Sequence, residues 1–450
     1  MGIGKTNIKD MTQGDSMRLM LAFSMPLMLG NVFQQLYTFV DALIIGRKVG
    51  AYALAALGVA EWPVFIMFGV IQGITQGCSV IIAQRFGEKK IDLVQRSVYN
   101  SFFICGIGAI IFTIIAEISI YPCLRLLNTP SEIIELTHTY IQILYAGIPV
   151  TFVYNMLAAI LRALGNSKKP LSAMMVASFG NIILDLIFVV GMDMGIAGAA
   201  YGTVLAQVTA MGYCAVSIRR IELCRIGKLN RAPDKEIIVE EVKIGIPIAL
   251  QNIITAMGGL VVQAKANGFG ILFITGYSAA NKLYALLEIA ATSYAQGIMT
   301  YTAQNKGVDS KARIKDGLKA ALIIGTCTAL LMSCIMVLCG QNILALFIKD
   351  AEVNIVEAIR IGYVFLRILA IGFPLLYALY VIRACIQGLG NTVFPMLSSF
   401  VQVFMRVTCA FLLTEVVGNT GIFWGEIFAW LGADIFLVSF LIYRFYKGST

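Results

Sequence analysis

Charge is scarce in this sequence: Asp, Glu, Lys and Arg make up 13% of its 450 residues, about half of what a soluble globular chain carries. There is one histidine, His138, and none of the ten cysteines stands in a Cys-x-x-Cys pair. These shortages exclude whole classes of protein. Clustered Cys and His ligands for a metal site are missing, and the cysteines read as small packing residues rather than disulfide partners. No phosphate loop with the full Gly-x-x-x-x-Gly-Lys-Ser/Thr spacing is present, and no Gly-x-Ser-x-Gly or His-Glu-x-x-His motif offers enzymatic chemistry. No enzyme activity and no cofactor are expected. His138, at the start of a span, reads as a spectator.

What is abundant is apolar surface, with 59% hydrophobic residues and a mean hydropathy of +0.83. Met20–Ile45, Phe102–Ile120, Leu171–Val190 and Ala320–Leu338 are each long enough to cross about 30 Å of hydrocarbon. They lack the alternation of barrel strands, so the backbone must satisfy itself as helix. Twelve spans are expected, at roughly 17–46, 52–83, 93–121, 132–163, 169–191, 195–219, 238–267, 275–305, 313–339, 354–388, 392–415 and 421–445. The fold class is therefore an all-α polytopic membrane protein.

The net charge of +9 makes nucleic acid the naive partner, but the placement of charge argues against it. With the N-terminus inside, most Lys and Arg fall on cytoplasmic segments, and the clear outer loops hold only Arg47, Lys48, Arg125 and Lys349. That asymmetry is the positive-inside rule. It predicts an inner (plasma) membrane protein with both termini cytoplasmic and the bilayer as partner. Met1–Gly14 shows no cleavable signal pattern.

The chain is written twice. Gly147-Ile148-Pro149 recurs as Gly372-Phe373-Pro374, Leu164-Gly165-Asn166 as Leu389-Gly390-Asn391, and Pro170 as Pro395, all at one spacing. Pro26…Asn31 matches Pro247…Asn252, Ala83-Gln84…Gly87 matches Ala303-Gln304…Gly307, and Gly198…Gly202 matches Gly421…Gly425. Two pseudo-symmetric six-helix bundles follow, an N-lobe at 1–225 and a C-lobe at 226–450, joined by a charged cytoplasmic linker at about 219–243. An even number of spans per half sets both halves the same way up, a plan that places substrate between the lobes. Pro26 and Pro247, in the first span of each half, are hinge candidates. The Leu-Gly-Asn segments read as helix C-caps followed by tight turns.

Polar groups at membrane depth are functional candidates by default. Asp41, Asn181, Asp185 and Thr203, from the first, fifth and sixth spans, share a level roughly 8–15 Å below the outer surface at the helical rise per residue. Two carboxylates, an amide and a hydroxyl are hard oxygen ligands suited to sodium. Alternatively, burial and mutual repulsion let one carboxyl carry a proton, and the bland reading is a hydrogen-bonded knot between helices. The repeat puts Val262, Arg406, Ala410 and Glu426 in the corresponding places, so Arg406 and Glu426 are expected to form a fixed ion pair where the first half binds an ion. Lys265, Lys282 and Arg367 make the second half the more basic, and pairing with Glu288 or Asp434 is the favoured reading for them. Gln34, Tyr37, Tyr154, Gln251, Met257, Lys265, Tyr284 and Arg367 fall on spans expected to face a substrate cleft. Aromatic and Met surfaces there suit adaptable binding of small molecules.

Ser24-Met25-Pro26-Leu27…Gln34-Gln35-Leu36-Tyr37…Asp41…Gly46, with Ala83-Gln84…Gly87, Leu164-Gly165-Asn166 and Ala303-Gln304-Asn305…Gly307, resembles the MATE (multidrug and toxic compound extrusion) transporters over essentially the whole chain. The resemblance implies two bundles around a cleft open alternately to each side, and efflux of drugs or metabolites driven by inward sodium or proton flow. It also implies an amino-lobe cation site, because some branches join an Asp on the first span to Asn and Asp on the fifth and Thr on the sixth. Asp41, Asn181, Asp185 and Thr203 fit those places. Other branches carry an acidic residue soon after the proline of the seventh span, where this chain has Thr255, and Glu61-Trp62 is unusual for the family. A monomeric cation-coupled antiporter is the leading expectation. A flippase for a lipid-linked precursor is the alternative, kept open by the basic second half.

Overall fold

The computed structural model describes residues 8–225, 227, 232–348 and 354–446. Every regular element among the described residues is helical. The first half contains α1 (Ser16–Lys48), α2 (Ala51–Gly87), α3 (Ile91–Leu126), α4 (Ser131–Ala146), α5 (Ile148–Ala163), α6 (Lys168–Asp185) and α7 (Gly195–Arg219). The second contains α8 (Lys235–Asn267), α9 (Ile271–Gly307), α10 (Lys311–Phe347), α11 (Ile355–Gly388), α12 (Val393–Val417) and α13 (Gly421–Tyr446). Helices α4 and α5 form one span bent by 49°, so the thirteen helices make twelve spans among the described residues. Part of the linker (226 and 228–231) and Lys349, expected in an outer loop, lie outside the described residues.

Lipid-facing surfaces are legible in the exposure pattern. On α3, Ile107, Ile111, Ile114 and Ile118 are all exposed and fall on one helical face. An apolar stripe of that size left open is a membrane contact. The opposite extremes are α5 and α11, whose side chains are buried along most of their length, including Leu157–Leu161 on α5 and Val381–Gly388 on α11. These belong to the fourth and tenth spans, equivalent in the repeat.

Packing divides the chain into two compact units. Unit one takes in Ala22–Ala249 and Ala303–Asp309 with the stretch before Gly14; unit two takes in Gly14–Leu21, Leu250–Thr302 and the chain from Ser310 onward. The repeat places a border at 225/226, whereas the packing border falls inside α8. Its first part lies in backbone contact with α2: a Cβ on Gly73 would overlap Ala249, and one on Gly77 would overlap Gly245. In unit one, residues 8–13 are pinned by backbone and side-chain bonds, with Lys9 N donating to Leu164 O at 3.3 Å and Met11 N to Gln304 Oε1 at 2.8 Å.

The prolines act unequally. Pro26, Pro63, Pro247 and Pro374 all sit within unbroken helices. Pro149 instead stands in the first turn of α5, after the break at Gly147. The Leu-Gly-Asn turns take the expected form: Gly165 and Gly390 have φ of 76° and 83°, the left-handed conformation that glycine adopts without strain. Asn166 and Asn391 then donate their N–H back to Leu161 O and Ile386 O, the Schellman closure.

Candidate cation site

In unit one, α1, α6 and α7 carry the four polar groups singled out by depth. Asp41 is 8% exposed, Asn181 1% and Asp185 0%. The Asp41 and Asp185 carboxyls come within hydrogen-bonding reach of each other. Neither is in an ion pair among the described residues, and Asp41 Oδ1 and both Asp185 oxygens have no hydrogen-bond donor there. Both ends of the Asn181 amide, one turn along α6 from Asp185, are likewise unpartnered. Thr203 is half-buried on α7 beside Gly202.

The backbone explains why these groups converge. Regular α-helix in α6 stops at Asp185, and Leu186–Gly191 continue as a π-helix. Widened turns of this kind are rare and frequent at functional sites. Gly202 lets α7 close on the carboxyl, since any Cβ there would collide with Asp185 Oδ1. Tyr37 is hydrogen-bonded to Gln34 and lies close enough to both carboxylates to feel their charge. Tyr140, from α4, is placed similarly. Asp41, Asp185 and Thr203 each also have an apolar neighbour one turn toward the α1–α2 loop. Ile45, Val189 and Ala199 belong to one buried cluster with Ala53, Ala56, Ile133 and Ile196, and Tyr140 packs against it. The carboxyl pair is thus sealed by hydrocarbon on that side, where electrostatic interactions are strong.

Equivalent positions in unit two hold a different chemistry. Arg406 Nη2 and Glu426 Oε2 lie 2.6 Å apart with both side chains about nine-tenths enclosed. Ala410 and Val262 fill the places of the two aspartates and are buried. Gly425 packs on Ala410 and on the Arg406 carbonyl, as Gly202 packs on Asp185, so the packing repeats where the charge does not.

Remaining candidates are scattered. Tyr154 lies near Arg162 and Tyr37 within unit one. In unit two, Gln251 is buried and accepts from Gln387 Nε2 at 3.1 Å. Met257 and Arg367 are exposed. Tyr284 donates to Glu288 Oε1 at 3.2 Å, and Tyr380 donates to the same oxygen at 2.6 Å. The expected pairing of the three basic side chains is corrected here. Glu288 is satisfied by tyrosines, Lys265 stands 4.9 Å over the Phe411 ring, Arg367 lies 5.9 Å from the Tyr363 ring, and Lys282 is exposed. The cation near Asp434 is Arg383, whose guanidinium donates to Ser398 Oγ and Gln402 Oε1. Glu61 is exposed. Sequence reading missed Tyr140, which carries no motif, and the part of Gly202, whose recurrence as Gly425 was visible.

The fold and the polar site define the class: a twelve-span membrane transporter with a carboxylate pair in its first half. The MatE family model matches residues 26–187 and 247–412, once in each half, and the chain belongs to the MATE family. Among curated relatives, "Probable multidrug resistance protein YpnP" of Bacillus subtilis (strain 168) is 29% identical over 443 residues, covering 97% of this chain and 96% of its own. "Multidrug export protein MepA" of Staphylococcus aureus (strain NCTC 8325 / PS 47) is 26% identical over 418 residues, covering 92% and 90%. Among solved structures, a MOP superfamily transporter from Pyrococcus furiosus Vc1 (DSM3638) superposes with a TM-score of 0.91 at 21% identity over 99% of this chain and 98% of that one. An outward-facing multidrug resistance MATE transporter gives 0.90 at 23%, covering 100% and 99%.

Proposed function

We propose that the protein exports small organic molecules, the class named by the multidrug relatives, in exchange for sodium or a proton that binds at Asp41, Asn181, Asp185 and Thr203. One observation carries this reading: two buried carboxyls face each other without a cationic side chain between them. Two such groups cannot both stay ionised in a dry site. They must share a proton or hold a cation, and a site that loads and unloads either one can exchange it for cargo. The Asn181 carbonyl and Thr203 hydroxyl add the neutral oxygens that a sodium ion requires. In unit two the Arg406–Glu426 pair supplies its own countercharge, which leaves no vacancy for a transported ion. The protein works as a monomer in the inner or plasma membrane with both termini in the cytoplasm, as the distribution of Lys and Arg supports.

Ion-dependent stability of the purified protein tests the site, because a ligand that binds the folded state raises its melting temperature. Sodium coupling predicts a higher Tm in sodium than in potassium, lost in Asp185→Asn. Proton coupling predicts a Tm that rises as pH falls, with no difference between the salts. A wild type indifferent to both defeats the proposal. Lys265, Lys282 and Arg367, outside any ion pair among the described residues, favour one second reading, an anionic lipid-linked cargo. Transfer of such a lipid between leaflets, lost when these three are neutralised, distinguishes it.

A further inference from the structure

Unit one buries a third acidic side chain, one that the coupling scheme above does not use. Glu241, in the second turn of α8, is 0% exposed. It lies on the part of α8 that packs within unit one; from Leu250 onward the helix belongs to unit two. That first part rests on α2 through Gly73, Gly77, Gly245 and Ala249, the small-residue spacing that lets membrane helices meet backbone to backbone. So close an approach carries the Glu241 side chain against α2 and α3. There Ser101 Oγ donates to Glu241 Oε1 at 3.0 Å, and the Cys78 thiol lies alongside. Ser97, one turn from Ser101 on α3, is also fully buried.

Among the described residues, the titratable groups around this carboxyl offer it no positive charge. Cys78 faces it from α2, and Cys105 of α3 lies near Cys78. On α8 the neighbour is Glu240, whose own carboxylate is turned to Arg85 at 2.9 Å. Glu241 itself is in no ion pair among the described residues. A carboxylate held by one hydroxyl and a weakly donating thiol, with no cation among the described residues, is poorly compensated in such a place, whereas the neutral acid is tolerated.

We propose that Glu241 is a second proton-binding site, loaded while the first part of α8 is docked on α2 and α3 and emptied when that contact opens to water. The docked form then holds one proton more than the open form. Docking is strengthened as pH falls, by up to tenfold per pH unit where the open-state carboxyl is ionised. The site is independent of Asp41 and Asp185.

Infrared difference spectroscopy on the full-length protein in lipid nanodiscs tests it directly. Subtracting Glu241→Gln from wild type at neutral pH isolates this one carboxyl, so the result does not depend on the Asp41 and Asp185 reading. The expected difference is the C=O stretch of a protonated carboxylic acid. Ser101→Ala, which keeps the carboxyl and removes its donor, is expected to move that band to higher frequency. Intrinsic-rate-corrected hydrogen exchange of residues 235–249 is expected to show wild-type protection falling as pH rises, with Glu241→Gln protected at every pH. A carboxylate band in place of the acid band, or a Glu241→Gln protein that loses protection with pH as wild type does, overturns the proposal.

Discussion

Asp185 owes its place to two backbone features: the α-helix loosens to a π-turn immediately after it, and a glycine on the neighbouring helix makes room for its carboxyl. Gly202→Ala is therefore expected to push on Asp185, costing about 1–3 kcal/mol by overpacking and weakening ion binding together with stability. Thermal unfolding with and without the coupling ion reads both effects. At the matching site in unit two, Glu426→Gln leaves Arg406 enclosed without its partner and is expected to cost about 3–5 kcal/mol. Replacing both members with apolar residues of similar volume should recover most of that loss. Chemical denaturation of the single and double variants measures it, and equal loss in both would mean that the side chains are needed for shape rather than charge. Outside the spans, burial pushes the Cys224 thiol up to about 12. Almost no thiolate exists there at neutral pH, so Cys224 is expected to resist alkylation until the protein is unfolded, as mass spectrometry of labelled protein can establish.

At the scale of elements, the two Leu-Gly-Asn turns separate backbone strain from packing. Gly390→Ala forces alanine to a φ of 83°, at a cost of about 1–3 kcal/mol. Gly165→Ala carries the same strain, and its Cβ also collides with the Lys9 carbonyl, so it should melt at the lower temperature. Paired melting curves decide; equal shifts would show that the strand of chain at residues 8–13 gives way freely. These turns were legible in sequence because glycine and asparagine have local reasons to be there. The Gly-x-Pro triplets show where local legibility ends. Gly147-Ile148-Pro149 separates two helices, yet Gly372-Phe373-Pro374 lies inside the unbroken α11. Both glycines serve packing, with Gly147 against Val204 of α7 and Gly372 against Ile427 and Trp430 of α13. Buried side chains flank both triplets, so burial alone does not decide which proline bends the chain.

Over the whole molecule, hydropathy, charge placement and the internal repeat made twelve spans in two halves legible in the sequence. Counting residues from the loops put Asp41 and Asp185 at one level, and their carboxyls do come together. Partners were not legible. Arg383 beside Asp434, the tyrosines on Glu288 and the burial of Glu241 depend on helix rotation, which a uniformly apolar span does not encode. The resulting picture is of halves alike in packing and unlike in charge, one with an uncompensated carboxyl pair and the other with a closed ion pair. Efflux of a fluorescent organic cation from proteoliposomes, driven by an imposed sodium or proton gradient, is the most direct test of that asymmetry. Wild type should transport only with the gradient, Asp41→Asn should lose the gradient's effect while remaining folded, and a variant with Arg406 and Glu426 both made apolar should keep it. Gradient-driven efflux that survives Asp41→Asn but not loss of the Arg406–Glu426 pair would place coupling in the other half and contradict the assignment.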